Sequence, residues 1–185
     1  MPRNRNLPAI VLALAGLMAA APATYAASVT STGTVNGTVL SASTSATPSF
    51  SADLDSGDST QTYTVPLTVQ DTRGTGAGWN LTATSTTFST GGGTPRTLST
   101  SASSLTAVNS SCTSGTCTNP SNAQTYPIAV PAGTTAPTAI KFFNTTANNG
   151  MGRFTITPTI GVTVPQNAFA GTYSSTVTLS VITGP

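Results

Sequence analysis

The stretch Phe154-Thr155-Ile156-Thr157-Pro158-Thr159-Ile160-Gly161-Val162-Thr163-Val164 decides the fold. Phe154, Ile156, Pro158, Ile160, Val162 and Val164 fall on one parity, and Thr155, Thr157, Thr159, Gly161 and Thr163 on the other. A period of two belongs to a strand, whose successive side chains point to opposite faces, so the apolar set predicts a buried face and the threonine set a wet one. Pro158 has no N–H to give to a ladder, which predicts either an edge strand or two shorter strands meeting at a bend.

Working outward, the same pattern recurs. Tyr173, Ser175, Val177, Leu179 and Val181 alternate with Ser174, Thr176, Thr178 and Ser180, which predicts a closing strand. Tyr63, Val65, Leu67 and Val69 form another set, with Pro66 on the opposite face, and Trp79, Leu81 and Ala83 begin a third that leads towards Phe88. Weaker strand signals lie at Thr34 to Leu40, Tyr126 to Val130 and Ala139 to Phe143. The stretches Thr90–Thr94 and Ser99–Gln124, rich in Gly, Ser, Thr and Asn, read as surface loops. No segment keeps helical spacing. Short strands separated by Gly, Pro, Asn and Ser clusters predict an all-β antiparallel sandwich of Ig-like or Greek-key style.

The first residues carry Arg3 and Arg5, an apolar run from Leu7 to Ala21, and then Ala23-Thr24-Tyr25-Ala26-Ala27. That order is the one of a cleaved secretory signal, with Thr24 and Ala26 as the small residues before the cut. The reading is therefore a signal peptide at 1–26 and one domain at 27–185. The apolar run falls short of the ~20 residues that span a bilayer as a helix, and no second run follows, so the mature chain is expected to lack a transmembrane segment.

Charge narrows the function further. The chain has six Lys and Arg against four Asp and Glu, and no His. Arg3 and Arg5 leave with the signal, so Arg73, Arg96, Lys141 and Arg153 balance Asp53, Asp55, Asp58 and Asp71. A balanced charge offers no basic patch for nucleic acid or anionic membrane. Without His or Glu there is no base for acyl transfer, and the carboxylates are not spaced as a glycosidase pair, so the reading is a protein that is not an enzyme and needs no cofactor. Cys112 and Cys117, close together in an exported chain, read as a local disulfide. Asp53, Asp55 and Asp58 surround Gly57 in an oxygen-rich turn that a calcium ion would favour, but the remaining ligands of a calcium loop are missing; the expectation is a solvated turn and no metal.

The segment from Asp71 to Leu81, Asp-Thr-Arg-Gly-Thr-Gly-Ala-Gly-Trp-Asn-Leu, resembles the first signature of the WxL domain family, in which a glycine-rich run leads into Trp-x-Leu. Ala170 to Pro185 is similar to that family's closing strand. The second Trp-x-Leu of the family is replaced here by Leu179, Ser180 and Val181. The resemblance implies a secreted protein of the cell wall or cell surface that associates non-covalently with peptidoglycan or another wall glycan, alone or with other surface proteins. Trp79 is then either a stacking platform for sugar rings or a core anchor, with Leu81 beside it; the apolar parity of Trp79, Leu81 and Ala83 argues for the core. Asp71 and Arg73 either hold their own loop as an ion pair or meet a glycan. The alternative role is a structural subunit of a surface layer, fibre or surface complex, built by pairing strand edges.

Overall fold

The alternating stretch forms one unbroken strand in the interior of a sheet. In chain order the strands are β1 (Leu40–Ser43), β2 (Ser59–Thr64), β3 (Leu67–Asp71), β4 (Trp79–Thr86), β5 (Ser103–Ser114), β6 (Ile128–Ala129), β7 (Ala132–Gly133), β8 (Ile140–Asn144), β9 (Gly152–Val164) and β10 (Val177–Thr183). The coordinates, a computed structural model, describe residues 30–185, and the signal read at 1–26 lies outside them. Strands β1, β3, β9, β5 and β6 lie side by side in one sheet, with β2 also on β9; β10, β4 and β7 form the second, with β8 also on β4. All ladders are antiparallel except the short β4–β7 pair. The fold is an all-β sandwich.

Between the sheets, Leu67, Val69, Leu105, Phe154, Ile156, Ile160 and Val162 from one side meet Trp79, Leu81, Phe142 and Phe143 from the other, each at most 1% exposed. Burying such side chains contributes roughly 1.5–3 kcal/mol each before the entropy of ordering them is set against it.

The expectation that Pro158 marks an edge or a bend is corrected: β9 runs straight through it, with partners on both sides. The partner strand explains why. Thr64 faces Thr159 and Leu67 faces Ile156, so β2 and β3 lie on one line, interrupted at Val65 and Pro66 without a slip of register. Val65 N–H donates to Pro158 O at 3.1 Å. The N and O of one strand residue point to the same side, so the absent N–H of Pro158 falls opposite Val65, at the interruption. Towards β5, Pro158 faces Val108 with no bond required of it.

Ser99–Gln124 is likewise corrected, because its middle is β5, a full neighbour of β9. Only Ser103 and Leu105 of β5 are buried, and most of it beyond Thr106 is exposed, so no apolar alternation marks it. Two register shifts, between Leu105 and Ala107 and between Cys112 and Ser114, break what period remains. The strand expected at Thr34 to Leu40 begins only at Leu40, and the closing strand begins at Val177, four residues after Tyr173. Cys112 near the end of β5 is bonded to Cys117.

Candidate functional site

The glycine-rich run of the signature connects β3 to β4. Asp71 ends β3 opposite Gly152 and is 2% exposed. Its Oδ1 accepts from Arg73 Nε at 2.9 Å and from Arg73 N at 3.2 Å, and its Oδ2 accepts from Arg73 Nη2 at 2.9 Å. The same guanidinium donates to Gly78 O at 2.9 Å and to Thr183 Oγ1 at 2.8 Å. One planar fork thus ties the start of the loop, its end and the last strand together. Its hydrogen bond to Asp71 raises the Arg73 pKa above its ordinary value, outweighing the opposing effect of burial.

Within the loop, Gly76 and Gly78 have φ of 65° and 70°, a left-handed region that side chains rarely adopt. A Cβ on Gly76 would run into Asn148 Oδ1, and one on Gly78 would lie 2.9 Å from Thr146 O. These glycines let the segment 145–150 close over the loop, and Asn148 N–H donates to Gly76 O at 2.7 Å.

Trp79 follows at once and is wholly buried. Its ring stacks on Phe143, centroids 5.4 Å apart and planes 13° apart, and tilts against Phe154. Its Nε1–H donates to Gly150 O at 2.8 Å. Thr145 Oγ1 accepts from Trp79 N at 2.8 Å and donates to Trp79 O at 2.9 Å. Leu81 is buried too and pairs with Val181 of β10. Of the four candidate ligand-binding residues, Trp79 and Leu81 therefore lie inside, Asp71 is spent on Arg73, and Arg73 keeps a small exposed edge, 16% of its side chain. The residues exposed on this loop are Gly74 and Thr75.

Sequence reading did not find Thr145, Asn148, Gly150 or Thr183. They are polar or small residues remote from the signature in the chain, and only the β4–β8 and β4–β10 pairings bring them to it. Asn80 opens the Asn-Leu-Thr sequence of a glycan acceptor; the residue is 5% exposed and its Nδ2 donates to Gly184 O at 2.8 Å, which leaves no room for a glycan.

Asp53 and Asp55 flank Leu54 at a 3-10 turn, Leu54–Ser56, while Asp58 Oδ1 accepts from Gln166 N at 2.8 Å. Among the described residues no three His, Cys, Asp or Glu side chains are grouped to hold a metal ion. No helix among them is long and apolar enough to cross a membrane.

A second feature lies at the other end of β1: an open groove of about 1060 Å³ between the sheets, lined by Phe50, Tyr63, Leu67, Phe88, Tyr173 and Leu179 among others. Phe50 is parallel to Tyr63, with ring centroids 6.1 Å apart, and meets Phe88 edge-on. Near the mouth, the guanidinium of Arg96 covers the ring of Phe169 at 3.8 Å, and Phe169 is 56% exposed.

A family model described as WxL domain surface cell wall-binding matches residues 23–185. Among curated proteins and among solved structures no match is found.

Proposed function

Since the chain belongs to the WxL family of surface cell-wall-binding domains, we propose that it is exported by a signal cut after Ala26 and that residues 27–185 attach non-covalently to peptidoglycan as one non-catalytic module. The match over residues 23–185 carries this reading. We assign the contact to the loop between Asp71 and Gly78. Asp71 and Arg73 hold its ends, Trp79 and Leu81 support it from the core, and Gly74, Thr75 and the outer edge of Arg73 meet the glycan. Opposite charges balance in residues 27–185, so affinity rests on hydroxyl and backbone hydrogen bonds and on van der Waals contact.

The test is sedimentation with purified peptidoglycan at low and high salt. The wild-type chain is expected in the pellet at both, because contacts of this kind are not screened as ion pairs are. Thr75→Glu, shown by circular dichroism to be folded, is expected to bind about tenfold more weakly, the scale of one or two lost hydrogen bonds. A wild-type chain that stays in the supernatant defeats wall attachment. Equal binding by the Thr75 variant defeats the loop assignment alone.

A further inference from the structure

The sandwich is unfinished along one side. β1 is the outer strand of one sheet and β10 of the other, and the two neighbour each other. Each offers backbone groups on a free edge, a template for one more strand. Between them opens the groove described above, whose lining contains no charged residue. Leu40 and Ala42 of β1 and Val177, Leu179 and Val181 of β10 point towards the core yet stay only half-buried. That is the burial expected of inward residues beside an absent strand.

The chain also holds a strand-like segment that is paired only at its end, where Thr38 and Val39 bond to Thr72. Val29, Val35 and Val39 share a parity with Ser31, Gly33 and Gly37, opposite Thr30, Thr32, Thr34, Asn36 and Thr38. Residues 30–39 form no strand and are exposed, Val35 at 99% and Val39 at 41%. A valine standing free in an uncharged, Pro-free, threonine-rich segment is what a strand looks like before its partner arrives.

The chain enters β1 from the end away from the groove. The ladder between β1 and β3 ends where Thr38 N–H donates to Thr72 O at 2.8 Å, beyond the Asp71 end of β1. The groove starts from the opposite end, at Ala42 and Ser43, and continues through Leu54. Thr38 and the groove therefore lie at opposite ends of β1.

We propose that the segment preceding β1, centred on residues 29–35, inserts into the groove of a second copy and pairs with the free edge of its β10, linking copies head to tail. Extended at about 3.3 Å per residue, it matches the 7 residues of β10. Its valines face Tyr63 and Leu179, and its threonines meet the hydroxyl rim formed by Thr47, Ser175 and Thr178. Both surfaces are neutral, so neither leaves a buried charge behind. A contact between two different patches is heterologous, so copies add head to tail into a ring or an open filament. This assembly stands apart from wall attachment and does not rest on it.

The test uses the secreted chain with its N-terminus determined. In light scattering across a concentration series, apparent mass is expected to rise at least about twofold for the wild type, as head-to-tail association requires, and to stay at the monomer for a chain lacking residues 27–35. Chains carrying Thr34→Cys and Thr178→Cys, mixed under mild oxidation, are expected to form a crossed dimer that neither forms alone, because the two positions share a face of the proposed pairing. An excess of a synthetic peptide spanning 27–39 should suppress it. A wild-type monomer at every concentration overturns the proposal. So does a truncated chain that assembles as the wild type does, or a crossed dimer that the peptide leaves untouched. Failure of peptidoglycan binding has no bearing on any of these readouts.

Discussion

At Trp79 the indole has both a packing role and a polar one. The ring is enclosed by Phe143 and Phe154 and its N–H is answered by Gly150 O. Trp79→Ala is expected to destabilise the fold by about 3–5 kcal/mol, read from urea unfolding. Trp79→Phe keeps most of the packing but leaves Gly150 O without its donor, costing about 1–3 kcal/mol. If Trp79→Ala unfolds at the wild-type midpoint, the ring is not the anchor described. Asp71→Ala removes the partner of a guanidinium that also holds Gly78 O and Thr183 Oγ1. Its cost is expected near 3 kcal/mol, the low end for breaking a buried pair, because Arg73 keeps some solvent contact. The core position of Trp79 was legible from its parity with Leu81 and Ala83. Thr145 and Gly150 were not, since a hydroxyl or a carbonyl that completes an indole's bonds carries no local pattern in the chain.

At the scale of the strand, legibility followed burial. β9 announces itself because one face is buried from Phe154 to Val164, while on the other Thr155, Thr157 and Thr159 are only half-buried and Thr163 is exposed. β4 was read from its start, although both of its faces are covered as far as Ser85. β5 was missed because its hold on β9 is through backbone bonds, which every residue but proline can make, while its side chains from Thr106 on mostly meet solvent. Pro158 misled for a related reason: the penalty for a missing N–H applies only where an acceptor awaits it, and here the neighbouring strand is itself interrupted by Pro66. The disulfide secures the poorly covered end of β5, closing Cys112 onto a residue 5 positions away. Replacing both cysteines with serine is expected to cost about 2 kcal/mol, the loop-closure value for so short a ring. The loss should show in hydrogen exchange as faster exchange confined to Ser110–Ser114. Protection unchanged there would mean that β9 alone holds the strand.

For the whole molecule, the sandwich class was readable and the groove was not, because a gap between two sheets depends on which strands end up at their edges. Tyr63 reports on it. Burial pushes the Tyr63 pKa from 10.0 up to about 12. The folded state therefore holds that proton more tightly than the unfolded chain does. The stability it contributes is complete below pH 10 and is lost as pH rises towards 12. Stability of the wild type is expected to fall across that window, and Tyr63→Phe to flatten the fall, as followed by urea midpoints at each pH. Identical alkaline limbs for the two chains would place the Tyr63 hydroxyl in water.

The pairing of β4 with β10 also sets the order of events in the life of an exported chain. Thr183 must reach both Trp79, its partner across the ladder, and Arg73, so the signature loop cannot be completed until the final strand is free to dock. Contacts between residues so remote in sequence make for slow folding. A polypeptide threading outwards N-terminus first would leave the signature loop loose until Thr183 has emerged.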